Sequence, residues 1–504
     1  MTKKFRTVLV GFEFYPELVA TMRASEGLDI ITHLTHESTP DTINVNDIYF
    51  HNHDFCPTYQ MPVDLYGEFL QKYFLRGMAN FGRIDIYTGK HTDYSTGMYL
   101  FKKITAYLYD LLFRQNINLI VIGHLPHECV DMILESLGNF LNIPVRLLVT
   151  PSYTDKAFFY LKHHSEYGLF KNHRKVRECD PVSIDTFVID STVQSDSNTW
   201  YRFVTNEQNT KTKTLLTGSS CTGFYNSCLY KQRTHDTRAM PRQKNLSGKY
   251  VYFPLHVQPE MSTMGQAPSV FDDQVLCIEQ IAKIIPQGYA ILVKEHPSQT
   301  FYYRDTIFYD RLRALPQVRM VPDGMDSHTL IRNSALVATV TGTAGWEALK
   351  YERPVVYFGY ATYREMPGAF QFTPDMDIEA ALQCRVKREE VEDCLRRMFA
   401  TMYQGGIGEK IPSDREKNRE LFVMAIADIL RRLEEDGGGH DPEVAFENLR
   451  HRSRCRQVTP PAWLVPANAL EHKSVYPRWK RCSLKALSLI QKNILAMQSK
   501  LLHP

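Results

Sequence analysis

Apolar runs recur along the first 152 residues with two alternating periods. Residues 6–12 (RTVLVGF), 29–33, 118–123 (NLIVIG) and 144–150 (PVRLLVT) are short and almost unbroken apolar stretches. Between them, residues 17–24, 63–80, 104–114 and 130–141 repeat apolar positions at helical spacing. Continuous apolar strands alternating with helices predict a parallel sheet covered on both faces. A second alternation begins at Lys249. It predicts strands over 250–255, 290–294, 318–321, 335–340 and 354–358, and helices over 273–285, 304–314, 327–333 and 344–350. Residues 413–434 predict a long charged amphipathic helix.

This pattern divides the chain into a Rossmann-like first domain, 1–152, and a Rossmann-like second domain, 245–437. Residues 153–244, rich in Ser, Thr, Asn and Asp, read as an irregular insertion between them. A tail, 438–504, follows. The expected fold class is α/β, with two doubly wound domains facing across a cleft, the GT-B layout. Open α/β sheets bind ligands outside the carboxyl ends of their strands. Candidate chemistry therefore belongs to the loops at those ends.

In the second domain three loops qualify. Residues 340–347 (VTGTAGWE) join a strand to a helix. Gly342 and Gly345 let the backbone approach a ligand, Thr341 and Thr343 supply hydroxyls, and Ala344 opens the helix. The helix start suits a phosphate, and Glu347, one turn in, suits a ribose. A plain tight turn has the same composition. Residues 294–297 (KEHP) present Lys294 and His296 after a strand that Pro297 ends. Residues 256–260 (HVQPE) add His256, Gln258 and Glu260. In the first domain the candidates for a general base stand at strand ends: Glu13, His124, His127 and Glu128. Helix capping competes for Glu128. The pairs Asp272-Asp273 and Asp375/Asp377 precede helices and read as caps. No His/Cys/Asp spacing reads as a metal site, so neither a tightly bound metal nor another cofactor is expected.

The series 250–260 (YVYFPLHVQPE), 291–297 (ILVKEHP) and 336–359 (LVATVTGTAGWEALKYERPVVYFG) resembles the capsule polysaccharide biosynthesis family. That family includes Kdo transferases with QP and HP motifs. The resemblance implies a GT-B fold and a CMP-activated sugar donor. It also implies that His296 contacts the nucleotide phosphate, that Gln258-Pro259 is the QP motif, and that 341–345 is the Thr/Gly loop leading into Glu347. The activity implied is glycosyl transfer, with Kdo among the candidate sugars, to a glycan or glycolipid acceptor, without a metal. Two alternatives keep the fold: a CDP-polyol phosphotransferase of teichoic-acid type, and a non-catalytic partner in capsule assembly or export.

Composition changes the picture at the ends. The 504 residues include 43% hydrophobic and 23% charged, enough apolar mass for more than one core, and a net charge of only +3. That mean hides an asymmetry. Residues 448–504 carry eleven Lys/Arg and one acid, Glu471. After the basic run 450–456 and Pro460, Pro461 and Pro466, residues 483–498 predict an amphipathic helix. Such a segment suits an anionic membrane surface or packing on its own protein. Nucleic acid is not an expected partner, because aromatic interleaving stops at Tyr476 and Trp479. No stretch approaches ~20 apolar residues, so no spanning helix is expected. The first residues lack a secretory apolar core, and ten cysteines without a CxxC pair fit a reducing cytosol. The expected location is cytoplasmic, peripheral at the inner membrane face if the tail binds lipid.

Overall fold

The computed structural model describes residues 5–13, 15–36, 39–50, 58–78, 81, 94–151, 153–154, 156–187, 232, 235–236, 238–243, 246–267, 270–297, 299, 304–322, 324–407 and 414–436. Thirteen strands lie within them. They are β1 (Phe5–Val10), β2 (Leu28–Thr35), β3 (Ile43–Asn44), β4 (Leu119–Ile122), β5 (Val145–Val149), β6 (Ala157–Leu161), β7 (Lys249–Pro254), β8 (Tyr289–Lys294), β9 (Val318–Met320), β10 (Leu336–Thr339), β11 (Val355–Tyr357), β12 (Ala369–Gln371) and β13 (Tyr403–Gln404).

They form two sheets, in the orders β13-β6-β5-β4-β1-β2-β3 and β12-β11-β10-β7-β8-β9. All pairings are parallel except β5 with β6 and β6 with β13. In the first sheet β1 lies between β4 and β2, and in the second β7 lies between β10 and β8. These are the points where strand order reverses and a crevice opens. The fold class read from the sequence, two Rossmann-like doubly wound units, is the one observed. Helix Cys129–Leu141 is buried along most of its length. It packs on β4 and β5 and on helices Val63–Met78 and Tyr94–Arg114.

Two readings of domain organisation are corrected. The stretch expected to be irregular begins with β6, whose five residues AFFYL are all buried. A short apolar run gives no period, and its charged flanks disguise it as a loop. The chain then crosses to the second domain. The N–H groups of Phe170 and Lys171 donate to Glu365 Oε2 at 2.6 and 2.7 Å. Those of Val176 and Arg177 donate to Ala400 O. The Phe187 ring meets Trp346 edge-on at 4.9 Å.

The second correction concerns the end of the expected second domain. β13 pairs with β6, and helix Arg415–Glu435 packs on helix Pro16–Ala24 of the first domain. Phe422, Ala425, Ile426, Ile429 and Leu433 make one apolar face. That face joins Phe12, Leu18, Met22 and Phe158 in a common core. Periodicity identifies the face but not which sheet it covers.

Residues 188–231 of the expected insertion, the basic run 450–456 and the expected helix 483–498 lie outside the described residues. Among the described residues no helix is long and apolar enough to cross a membrane.

Candidate functional site

The three second-domain loops converge because β7, β8 and β10 are neighbours in one parallel sheet. His256 sits beneath them. Its Nε2 lies 2.9 Å from Thr339 Oγ1 and its Nδ1 3.2 Å from Ser262 Oγ. A Cβ on Gly342 would come within 2.9 Å of the His256 ring, so glycine allows the 341–345 loop to rest on the imidazole. Burial, reinforced by His296 and Arg304, lowers the His256 pKa to about 3. The neutral ring is thus a fixed strut under the loop.

Gln258 is occupied within the protein as well. Its Nε2 donates to Asp272 O at 2.5 Å, and its Oε1 accepts from Gln274 at 2.7 Å and Arg304 at 3.2 Å. Gln299 bridges its backbone N–H and carbonyl. The peptide to Pro259 is cis.

Arg304 ties the first two loops together. Its guanidinium donates to Glu295 Oε2 at 2.9 Å and to the His256 carbonyl at 2.9 Å, and it lies over the Phe308 ring. Glu295 in turn accepts from the His296 N–H at 2.8 Å. Sequence reading missed Arg304, Glu295 and Gln274. A charged residue that turns inward leaves no mark on hydropathy.

The phosphate candidates divide. His296 stands at the end of β8, half-buried, with its pKa lowered to about 4 chiefly by desolvation. Lys294 turns the other way. Its Nζ donates to Met325 O at 2.6 Å and Ser327 Oγ at 2.8 Å, at the start of helix Ser327–Asn333. Thr341 Oγ1 donates to Ser262 O at 2.7 Å. Thr343 is exposed and precedes helix Ala344–Lys350 without a side-chain cap. Gly345 lies against Tyr363, whose hydroxyl donates to Gly342 O.

In the first domain, Gly11-Phe12-Glu13 follows β1 and residues 123–128 follow β4. Glu13 Oε1 accepts from the His36 N–H at 3.2 Å. Glu128 caps helix Cys129–Leu141 in a reciprocal box with Asp131, and its Oε2 meets His36 Nε2 at 2.9 Å. That hydrogen bond raises the His36 pKa. His127 Nδ1 lies 2.6 Å from Leu125 O. His124 Nε2 lies 2.8 Å from Asp131 Oδ2. Burial opposes charge on His124, but Asp131, Glu128 and Glu13 outweigh it and the pKa rises.

Asp272 and Asp375 make no cap, but Asp273 and Asp377 cap the helices that follow them, as their positions suggest. Among the described residues, two histidine and carboxylate groups bring their donor atoms within 4.8 Å of one another: His124, His127 and Asp131, and Glu135, His163 and His164. In the first group Asp131 already accepts three hydrogen bonds. In the second, Arg76 donates to Glu135 at 2.6 Å and lies 2.7 Å from His164. Burial works against the Glu135 charge, but His164 and Arg76 hold its pKa down at about 2. Hydrogen bonding accounts for both arrangements.

The strand-end loops of the two domains meet. A Cβ on Gly265 would lie 2.8 Å from Pro126 O and 3.3 Å from His127 Cβ. Tyr153, after β5, directs its hydroxyl at Thr343 O and Glu347 Oε1 at 3.4 and 3.5 Å. His127 therefore lies against the loop that holds Gly265, and Thr343 and Glu347 lie against Tyr153, across the same domain boundary.

This arrangement is that of an α/β protein with two doubly wound sheets, each reversing strand order at a switch point. Residues 216–405 match the model of the family described as capsule polysaccharide biosynthesis protein. The resemblance read from the motifs is thus borne out over that span. None of the curated proteins matches the chain. Among solved structures, the chain is similar to the Thermosulfurimonas dismutans KpsC beta Kdo 2,7 transferase. There the TM-score is 0.30 with 11% identity over 64% of this chain and 89% of that one. The beta Kdo 2,4 transferase of the same KpsC gives a TM-score of 0.26 and 13% identity over 57% and 79%. The UDP-GlcNAc 2-epimerase from Methanocaldococcus jannaschii gives 0.22 and 10% over 85% and 99%.

Proposed function

We propose that the protein is a metal-independent glycosyltransferase of capsule or surface polysaccharide assembly. It transfers a sugar, Kdo foremost, from a CMP-linked donor to a glycan or glycolipid. The observation that carries this reading is the family match over 216–405, which holds all three strand-end loops of the second sheet. In this reading His296 and the Thr341–Gly345 loop face the donor phosphate and stabilise the charge that grows on it as the glycosidic bond breaks. Glu347 binds the ribose. His256, Gln258 and Lys294 shape those loops from behind. The acceptor lies on the first-domain side, near Glu13, His127 and Glu128. Residues 450–504 hold the enzyme at an anionic membrane surface by charge, each cation contributing about 1 kcal/mol near the lipid.

The test is a thermal-shift screen across CMP, CDP, UDP and GDP. Selective stabilisation by CMP is expected, since a ligand that binds only the folded state raises its stability. Product analysis with CMP-Kdo should then give a glycoside. A phosphodiester product from a CDP-polyol, or no nucleotide binding at all, would overturn the reading.

A further inference from the structure

We infer that Tyr363 is a positioning residue for the donor phosphate: its hydroxyl holds the Gly342 carbonyl inward and so aims the Thr343 N–H outward, at a phosphate oxygen of the nucleotide. The inference rests on the reading of residues 341–345 as the phosphate loop.

The direction follows from peptide geometry. The peptide between Gly342 and Thr343 is trans, and in a trans peptide the carbonyl and the N–H point opposite ways in one plane. Gly342 O accepts the Tyr363 hydroxyl and the Gly345 N–H, both at 3.0 Å. Tyr363 is 0% exposed, so this carbonyl faces the interior. The Thr343 N–H therefore faces away from it, and Thr343 is an exposed residue. Among the described residues this N–H meets no acceptor.

The Tyr363 hydroxyl reaches the carbonyl because Gly345 has no side chain. A Cβ there would fall on the Tyr363 ring and hydroxyl. The ring is held edge-on by Trp346 at 5.7 Å and by Tyr357 at 6.0 Å. Trp346 Nε1 donates to Thr362 Oγ1 at 2.7 Å and so fixes the chain just before Tyr363. Burial pushes the Tyr363 pKa well above its ordinary value, so the hydroxyl keeps the proton it donates.

The other supports of the loop act on other groups. Thr339 Oγ1 bonds the His256 ring and takes the Gly342 N–H at 3.2 Å. Thr341 Oγ1 donates to Ser262 O. Neither holds the Gly342 carbonyl.

A phosphate oxygen suits such an N–H, because a hydrogen bond to a charged acceptor is stronger than one to a neutral group. As the bond to the sugar breaks, negative charge grows on the phosphate. A donor already aimed there needs no reorganisation at that moment.

The test uses the full chain, with CMP and cytidine as probes. The sequence Gly-Thr occurs once, at 342–343. Carbon-13 at glycine carbonyls and nitrogen-15 at threonines therefore report this one peptide by NMR. In the wild type CMP should move the Thr343 amide proton downfield, and cytidine, which lacks the phosphate, should leave it in place. Tyr363→Phe removes the hydroxyl and keeps the ring. It should weaken CMP binding by calorimetry roughly tenfold, leave cytidine binding unchanged and shrink the amide shift. Tyr357→Phe removes a neighbouring hydroxyl, which donates to Arg364 O, and should change neither affinity. An equal loss for CMP and cytidine in Tyr363→Phe, no loss of CMP binding, the same loss in Tyr357→Phe, or a wild-type amide that ignores bound CMP overturns the positioning role alone. A wild type that binds cytidine as tightly as CMP, or binds neither, overturns the reading of 341–345 as a phosphate loop, and the task of Tyr363 with it.

Discussion

The Arg304 guanidinium and the Glu295 carboxylate meet at 2.9 Å with side chains 0% and 6% exposed. Two charges removed from water hold each other, and between them they hold the His256 carbonyl, Gln258 Oε1 and the His296 N–H. The QP and HP motifs are thereby one rigid unit.

Breaking this pair by Arg304→Met should cost about 3–5 kcal/mol, because Glu295 is left charged and buried. Removing both charges, Arg304→Met with Glu295→Gln, should recover a good part of that loss. Urea denaturation of the two variants gives the comparison. Equal destabilisation would show that the pair is not the hub.

His256 makes stability depend on pH. Its folded pKa, about 3, lies below the ordinary 6.5. Above pH 6.5 the ring is neutral in both states and nothing changes. As pH falls below 6.5 the unfolded chain gains the proton first, so stability declines until about pH 3. Between pH 7 and pH 5 this one ring should remove roughly 2 kcal/mol. The slope, measured by denaturant midpoints, should flatten in His256→Gln.

Gly265→Ala should push the two domains apart locally, since its Cβ would meet Pro126 O at 2.8 Å and a backbone carbonyl has little room to move. A destabilisation of about 1–3 kcal/mol is expected, together with a smaller thermal shift on adding CMP. An unchanged shift would mean that nucleotide binding does not need this close approach.

Lys294 and His296 should separate in mutation. Lys294→Ala loses hydrogen bonds to Met325 O and Ser327 Oγ. It should lower the melting temperature more than it weakens CMP binding. His296→Ala should do the opposite, with a loss in CMP affinity of roughly tenfold, about 1.4 kcal/mol. Calorimetry on both variants decides the assignment.

Most of the scaffold was readable because it is periodic. Helices Ser327–Asn333 and Ala344–Lys350 fall where the pattern places them. Buried parallel strands announce themselves as apolar runs. β6 and β13 did not, since one is a short run among polar neighbours and the other has two residues. The site was legible as three polar loops at strand ends, but not in the division of labour within them. His256 and Lys294 look like ligand contacts in one dimension, and in three they bond to their own protein. Asp131 had a sequence sign, an acid three residues after Glu128 and so placed for a reciprocal cap. Its bond to His124 depends on how the β4 loop folds back, which no local pattern encodes.

β13 and helix Arg415–Glu435 return to the first domain after the whole of the second has intervened. During synthesis, therefore, the first domain must wait. Until residue 435 has left the ribosome, Phe12, Leu18, Met22 and Phe158 lack the covering face of Phe422, Ile426 and Ile429. A nascent chain halted near residue 400 would carry a closed second sheet beside an unfinished first one, with a sticky apolar surface open to chaperones.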